Sequence, residues 1–377
     1  MAMNKKMKVL FINLAAFSLT GGIEKFNKCF LKALWDLYQQ DDLDVASFSL
    51  YDQQTDANYF PQELYKGFNR SKISFVIRSV RQSRDFDVIV LGHINLAIIG
   101  LFISFLYPKK KIILIAHGIE VWKPLRGIQK SLLHKVDKIF AVSNFTKDKL
   151  CRIQNIRGNK IIIFPNTIDP FFEVPPDFNA PLYLKTRYGI TEDDFVLYTL
   201  TRLSGVEQYK GYDIVIKCLP SLKEKIPNIR YILAGKYDKE EKLRVEKLVN
   251  ELGLADVVHL SGFLRDEEIC DHYQLGDIFI MPSHGEGFGI VYIEAAVCGA
   301  RIIAGNKDGS VDALKNGELG MLVDPNSNQE ISEAVFKSYA ERSEWNYADK
   351  KGLQNKTLNY FGFNVFKNHL QKELLEI

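Results

Sequence analysis

The sequence lacks the patterns of several common protein classes. Its five cysteines are scattered and none forms a Cys-x-x-Cys pair, so neither a disulfide framework nor a zinc site is indicated, and a reducing cytoplasm fits. No Gly-x-Gly-x-x-Gly follows the first apolar run of either half, which gives little support to a nicotinamide or flavin cofactor. Repeats and low-complexity tracts are also missing.

Long hydrophobic runs are scarce as well. The run from Ile94 to Tyr107 falls short of the roughly 20 residues that span a bilayer, so no transmembrane helix is expected. Near the start, Lys5, Lys6 and Lys8 precede an apolar run that resembles a signal peptide. We expect a first strand instead of a cleaved leader, because the run is short and Asn13 interrupts it.

What is present fits a globular chain of two ordinary domains, with 377 residues of which 46% are hydrophobic and 25% charged. Apolar runs alternate with longer helical patterns, which predicts two parallel α/β sheets. Strands are expected at 8–14, 45–50, 88–91, 111–116, 138–142 and 160–164, and then at 195–201, 230–234, 257–261, 278–281 and 301–304. Four prolines within residues 170–181 cannot continue a helix or a central strand, so the domain boundary is placed there.

Charge is divided unevenly between the two halves. Residues 1–175 hold 25 Lys and Arg against 15 Asp and Glu, a net charge of +10, and the remainder holds 24 against 31, a net charge of −7. This asymmetry suggests that the first half faces something anionic. Lys72, Arg78, Arg81 and Arg84 interleave with apolar residues, and 109–111 are all lysine. An anionic membrane surface and an ordinary solvated helix face remain alternative interpretations.

The most informative segment is Ser283–Glu294. Three glycines, Gly285, Gly287 and Gly289, lie within five residues before a helix, so the backbone can approach a ligand closely and the first N–H groups of the helix favour an anion. Glu286 in the turn could reach hydroxyls near a reacting carbon, and Glu294 further along could hold a ribose diol. This arrangement suits a phosphorylated ligand.

Two cations follow the first strand expected in the second half. Arg202 ends that strand and Lys210 follows a short loop, at the carboxyl edge where parallel sheets bind ligands. A departing diphosphate needs positive charge of this kind. Because no Asp-x-Asp lies at the end of an expected strand, and the one at 85–87 precedes a strand, we expect no metal site and metal-independent chemistry.

In chain order these motifs resemble one family. They are Gly21-Gly22, His117-Gly118, 143–145 (Ser-Asn-Phe), 165–169 (Pro-Asn-Thr-Ile-Asp), Thr201-Arg202-Leu203 with Lys210-Gly211, and the Glu286/Glu294 pair. The chain is similar to the retaining, nucleotide-sugar-dependent glycosyltransferases of family 4 (group 1 type). The resemblance implies the α/β GT-B fold, with two Rossmann-like parallel-sheet domains facing a central cleft. It implies an acceptor-side domain at 1–172, a nucleotide-sugar domain at 173–350 and a final helix at 351–377 that returns to the first domain.

The resemblance also assigns roles. It implies diphosphate contacts for Arg202 and Lys210, donor-sugar contacts for His117 and Glu286, and a weaker acceptor or donor contact for Glu120. Further donor-site positions are then Gly21, Gly22, Gly287, Phe288, Gly289, Glu294 and Asn306. Two features depart from a favourable site: Thr201 replaces the glycine that usually precedes the arginine, and Glu207 places a negative charge in the phosphate loop.

The implied function is retaining transfer of a hexose-type sugar from a UDP- or GDP-linked donor to a saccharide or lipid-linked acceptor, in the synthesis of a surface polysaccharide or glycoconjugate. The donor is a substrate, and neither a separate cofactor nor a nucleic-acid partner is expected. The expected location is the cytoplasm, with the inner face of the membrane as an open alternative. A non-catalytic nucleotide-sugar-binding protein, and a phosphorylase or epimerase on the same fold, remain alternative functions.

Overall fold

The computed structural model describes residues 6–377, which fall into two compact units. The first comprises Met1–Pro170, of which residues 1–5 lie outside the described part, together with Phe361–Ile377, and the second is Phe171–Tyr360. The chain therefore leaves the first unit within the proline-rich segment and returns at Phe361, later than the predicted 351.

The first unit is built on a seven-stranded parallel sheet within the described residues, in the order β3-β2-β1-β4-β5-β6-β7. Its strands are β1 Met7–Asn13, β2 Leu43–Ser49, β3 Tyr65–Gly67, β4 Val88–Leu91, β5 Lys111–Ala116, β6 Lys138–Ala141 and β7 Ile161–Ile163. Its helices are α1 Gly22–Gln39, α2 Lys72–Gln82, α3 Ala97–Leu106, α4 Ile119–Trp122, α5 Gly127–Lys135 and α6 Asn144–Gln154. The central strands are buried on both faces, as parallel strands covered by helices require.

In the second unit, the described residues form a six-stranded parallel sheet in the order β10-β9-β8-β11-β12-β13. Its strands are β8 Phe195–Leu200, β9 Ile229–Ala234, β10 Val258–Gly262, β11 Ile278–Met281, β12 Arg301–Gly305 and β13 Met321–Val323. Its helices are α7 Leu182–Tyr188, α8 Tyr212–Lys225, α9 Lys239–Glu251, α10 Ile269–Leu275, α11 Ile290–Val297, α12 Ser310–Ala313, α13 Asn328–Ala340 and α14 Tyr347–Phe361. In both sheets the order reverses beside the unit's first strand, which opens a crevice at the carboxyl edge.

The two Rossmann-like parallel sheets confirm the predicted fold class. Every predicted strand is present, and the predicted bounds differ from the observed ones by no more than two residues. The sequence prediction omits β3 and β13. Both are three-residue strands at the edge of a sheet. Neither lies in an apolar run as long as the one that marks the equally short β7.

The final helical region consists of two helices with different neighbours. Gln354 of α14 donates to the carbonyl oxygens of Pro175 and Val297 at 2.9 and 2.7 Å, which holds α14 in the second unit. After Gly362, helix α15 Phe363–Leu375 packs on α1, where the Phe366 ring lies 5.6 Å from that of Phe26. Only α15 therefore returns to the first unit. None of the helices in the described part of the chain combines the length and apolarity that crossing a membrane requires.

Candidate active site

The carboxyl ends of β8, β11 and β12 bring three predicted loops together in the second unit. The loop after β8 carries Arg202 and Lys210, the loop after β11 carries Glu286, and the loop after β12 carries Asn306 and Asp308. These strands are neighbours in the sheet, so residues far apart in sequence become adjacent. Most of the predicted donor-site residues therefore share one edge.

Glycines allow these loops to pack backbone against backbone. A Cβ at Gly305 would lie 1.8 Å from the Ser283 carbonyl oxygen, and one at Gly309 would lie 2.1 Å from that of Gly287. Gly211 has a φ of +84°, and a Cβ there would lie 2.3 Å from the Pro282 oxygen. Larger residues at these positions would separate the loops. The glycines thus fix the distance between the cations and Glu286.

Lys210 and Glu286 form the central ion pair of this edge. The Lys210 ammonium donates to Glu286 Oε1, and their side chains are only 16% and 14% exposed. Burial acts to lower the pKa of Lys210, but the facing Glu286 carboxylate outweighs it, so the pKa lies above its ordinary value. Lys210 is therefore charged at neutral pH, and an anionic ligand near it would have to compete with Glu286 or be shared with it.

Arg202 is exposed and already engaged. Its Nε donates to Glu207 Oε2 at 3.1 Å, and an Nη group donates to the other oxygen of the same carboxylate. This is the bidentate geometry that a phosphate would also use. The negative charge of Glu207, noted in the sequence, therefore occupies the predicted phosphate contact of Arg202.

Asp308 is a site residue that the sequence analysis did not assign. Its fully buried carboxylate accepts from the backbone N–H of Glu286 at 2.7 Å and from that of Ser310 at 2.9 Å, and Gly309 N–H donates to Glu286 O at 2.8 Å. Burial raises the pKa of Asp308 to about 6, and these hydrogen bonds only partly oppose the shift. Asp308 joins the loops after β11 and β12. An Asp-Gly-Ser sequence between a strand and a short helix was the available signal.

Glu294 lies within α11, after the turn that carries Glu286. It is 1% exposed in the middle of α11, and it accepts from the hydroxyl of the fully buried Tyr273 at 3.1 Å. The remaining motif positions precede it: Gly287 is half-buried, Phe288 and Gly289 are buried, and Gly289 has a φ of +89° where the turn enters α11. Asn306 is exposed, and its backbone N–H donates to Val323. The ribose role of Glu294 stays a prediction.

In the first unit, His117 follows β5 as predicted. Its Nε2 lies 2.9 Å from the carbonyl oxygen of Gly92, and its backbone N–H donates to Glu120 Oε1 at 2.6 Å. Because a carbonyl can only accept, Nε2 carries the proton and Nδ1 is left as an acceptor. Burial lowers the pKa of His117 to about 4, so the ring is neutral at neutral pH. Glu120 therefore positions the His117 backbone.

His93 packs beside His117 at 6.3 Å between ring centroids and was not assigned from the sequence. Its Nδ1 accepts from the backbone N–H of Asn95 at 3.0 Å, and burial lowers its pKa to about 4. With both rings neutral, the pair offers hydrogen bonds without charge. Two neutral imidazole rings suit hydroxyl groups better than they suit a phosphate.

Gly21 and Gly22 are exposed where the loop after β1 ends, and Gly22 is the first residue of α1. The buried Asp52 organises the start of this loop by accepting from the backbone N–H groups of Ala16 and Ser18, both at 2.8 Å. Burial would raise the pKa of Asp52, but its hydrogen bonds together lower it. A Cβ at Gly22 would meet nothing within 4 Å, so no other part of the protein packs closely against this glycine. The close backbone contact predicted at Gly22 would therefore be a contact with a ligand.

The chain is similar to known proteins over both units. The family model for Glycosyltransferase Family 4 matches residues 21–171, and that for Glycosyl transferases group 1 matches residues 184–354. The GDP-mannose-dependent alpha-(1-6)-phosphatidylinositol monomannoside mannosyltransferase of Mycobacterium tuberculosis is 28% identical over 237 residues, which cover 60% of each chain. The chain thus matches less than two thirds of the length of this relative.

Solved structures share the fold over nearly the whole chain. Anabaena HepE in complex with UDP and glucose superposes with a TM-score of 0.72 at 20% identity, covering 98% of this chain and 100% of that one. A glycosyltransferase from Rickettsia africae gives 0.78 at 18% identity, covering 98% and 99%. The two family models together cover most of both units. The chain belongs to the group 1, family 4 glycosyltransferases and has the GT-B fold.

Proposed function

We propose that this protein transfers a hexose-type sugar, with retention of configuration, from a nucleotide diphosphate donor to a saccharide or lipid-linked acceptor. The observation that carries the proposal is the half-buried Lys210–Glu286 pair at the carboxyl edge of the second sheet. A pair of this kind places a cation for the diphosphate directly beside an acceptor for sugar hydroxyls. The UDP and glucose named for the Anabaena structure, and the GDP-mannose named for the mycobacterial relative, support a donor of this class.

Each charged group then has a specific task. As the bond between C1 and the β-phosphate oxygen breaks, Lys210 stabilises the negative charge that develops on the leaving diphosphate. Donor binding also draws Arg202 from Glu207 to the phosphate, since both ligands suit the same guanidinium geometry. Glu286 is then free to accept from hydroxyls of the donor sugar. The two cations supply the counter-charge that a metal supplies in other transferases, so we propose that transfer needs no metal.

Retention follows from a front-face route. The acceptor oxygen forms its bond to C1 on the face that the diphosphate leaves, and the acceptor proton passes to the leaving phosphate oxygen. In this scheme the neutral His117 accepts a hydrogen bond at Nδ1 from a sugar hydroxyl and adds no charge to the reacting centre.

A donor panel tests this function. The melting temperature is measured with UDP, GDP and ADP, and the nucleotide that stabilises the protein is then supplied as its sugar conjugates with saccharide and lipid extracts. We expect release of the nucleoside diphosphate coupled to a product with the donor's anomeric configuration. Binding without turnover would support a non-catalytic binding protein, and cleavage that requires inorganic phosphate would support a phosphorylase.

We further propose that the first unit contacts an anionic membrane from the cytoplasmic side. Helix α2 contains the exposed basic residues Lys72, Arg78 and Arg81 and no acidic residue. Ile73 and Ile77 of the same helix are 77% and 62% exposed. A basic face with apolar side chains beside it is the pattern of a helix that lies in a lipid interface.

The neighbouring helix extends this surface. Helix α3 packs against α2, and its Phe102 and Phe105 are 47% and 78% exposed. Lys109 and Lys110 follow α3. Each basic residue near an anionic surface contributes about 1 kcal/mol within a Debye length of roughly 8 Å at physiological salt. These cations together with the exposed rings would localise the protein reversibly.

Liposome flotation tests the membrane proposal. We expect the wild type to float with anionic vesicles, and less so at high salt. A variant with Lys72, Arg78, Arg81 and Arg84 changed to Gln is expected to remain at the bottom, as is a Phe102→Ser/Phe105→Ser variant. Equal flotation of the wild type and all variants, or no flotation with any vesicle, would contradict the proposal that this protein binds an anionic membrane.

A further inference from the structure

A cavity lies at the edge of the second sheet opposite the candidate active site. It has a volume of about 260 Å³ and adjoins the amino ends of β8, β11 and β12, whereas the candidate active site adjoins their carboxyl ends. Its wall includes Arg301, Lys350, Arg342, Asp277, Phe178 and Trp345. None of these residues has a part in the proposed transfer.

The charges around this cavity do not cancel. Three carboxylates of the wall each have a basic partner: Glu192 pairs with Lys185 at 2.7 Å, Asp194 with Arg230 at 3.1 Å, and Asp277 with Arg342 at 3.0 Å. Among residues 6–377, Lys350 and Arg301 form no ion pair with a carboxylate within 4 Å, and burial lowers the pKa of each. Asp277 acts on both from a greater distance, and Glu341, Asp349 and Glu344 act on Arg301. The wall therefore has one basic side chain in excess, with Lys185, Arg301, Arg342 and Lys350 against three carboxylates.

Arg301 is held rigidly in this position. Its Nη1 and Nη2 donate to the carbonyl oxygens of Ser338 and Glu341, both at 2.6 Å, and its guanidinium lies 4.9 Å from the centre of the Trp345 ring. Trp345 is itself anchored by a hydrogen bond from Nε1 to the Gly299 carbonyl oxygen at 3.1 Å. A fixed cation of this kind can bind an anion without the entropic cost of being ordered.

We propose that this cavity binds a small organic phosphate through Lys350 and Arg301, at a site separate from the donor site. Lys350 and Arg301, which form no close ion pair among the described residues, would bind the phosphate, and the rings of Phe178 and Trp345 would contact a short carbon chain. The cavity volume is below the roughly 300 Å³ at which pockets for drug-sized ligands begin, so a nucleotide sugar is too large for this cavity.

Anion binding at the donor site has to be removed before this cavity can be tested. The parent is therefore the full chain with Arg202→Ala and Lys210→Ala, and glycerol 3-phosphate, inorganic phosphate and chloride are titrated into it at matched ionic strength. We expect glycerol 3-phosphate to raise the melting temperature, inorganic phosphate to do so at higher concentration, and chloride to have no effect. No stabilisation, or equal apparent affinities for the two phosphates, would overturn the proposal.

Variants of one helix then locate the site. Lys350→Met in the parent is expected to weaken glycerol 3-phosphate binding at least tenfold, and Lys350→Arg is expected to retain it, since the charge is kept. Lys356→Met is the matched control, because Lys356 is on the same helix but pairs with Glu318 at 3.6 Å. Unchanged affinity in Lys350→Met, or equal loss in Lys356→Met, would contradict the site. Because the donor site is absent throughout, neither result depends on the proposed transfer.

Discussion

Replacing Asp308 by Asn should change how the stability of the second unit depends on pH. The pKa of Asp308 rises from 3.8 to about 6 on folding. This shift means that the folded protein disfavours the ionised carboxylate by about 3 kcal/mol. Because the folded-state pKa is the higher one, the contribution of Asp308 to stability is full below pH 3.8 and is lost as the pH rises through about 6.

Asparagine does not titrate, so Asp308→Asn removes this contribution to the pH dependence of stability. Any change in hydrogen bonding at position 308 shifts the free energy of unfolding equally at every pH. Between pH 5.0 and 7.5, linkage gives a change of about 1.5 kcal/mol. The free energy of unfolding of Asp308→Asn relative to that of the wild type should therefore rise by about this amount from pH 5.0 to pH 7.5.

Urea unfolding at the two pH values measures the change. Trp345 is the one tryptophan of the second unit, so a Trp35→Phe/Trp122→Phe background makes fluorescence report that unit alone. A difference between Asp308→Asn and its background that is the same at both pH values would refute the assigned burial and charge of Asp308. A difference that falls as the pH rises would give the wrong sign.

The remaining predictions concern the donor site. Arg202→Ala and Glu294→Ala should each weaken nucleoside diphosphate binding, by roughly 1.5–3 kcal/mol for the lost charge-assisted phosphate contact, and unchanged calorimetric affinity in both variants would refute the assignments. Glu207→Gln should tighten the same binding, because it releases the Arg202 guanidinium without removing it; weaker binding would mean that Glu207 orients Arg202 for its ligand. Activity should survive excess EDTA, and a loss that added magnesium or manganese restores would show that Lys210 and Arg202 do not replace a metal.

The sequence was sufficient for the fold because each central strand is a continuous apolar run bounded by helix or turn signals. It also located the site loops, since ligand-binding residues follow strands in parallel sheets. Arg202 and Lys210 were assigned in this way and Glu286 from the glycine-rich turn, and their roles in binding stay predictions. The three-residue edge strands β3 and β13 left no comparable pattern.

What the sequence could not predict are contacts between distant residues. The pairing of Lys210 with Glu286 depends on the neighbouring positions of β8 and β11. The role of Asp308 depends on a glycine contact that brings two loops together. Likewise, α14 gave no sequence signal for its attachment to the second unit, because this rests on the side-chain amide of Gln354.

The most direct test of the account is the effect of Lys210→Met on transfer of labelled sugar from UDP-glucose or GDP-mannose into saccharide and lipid extracts. Removing one preorganised charge from a developing anion costs about 10²–10³ in kcat. Lys217→Met is the matched control, because Lys217 is exposed on α8, which begins just after Lys210. The account predicts a loss of this size in Lys210→Met and wild-type activity in Lys217→Met. Full activity of Lys210→Met would contradict the proposal that this lysine stabilises the leaving diphosphate.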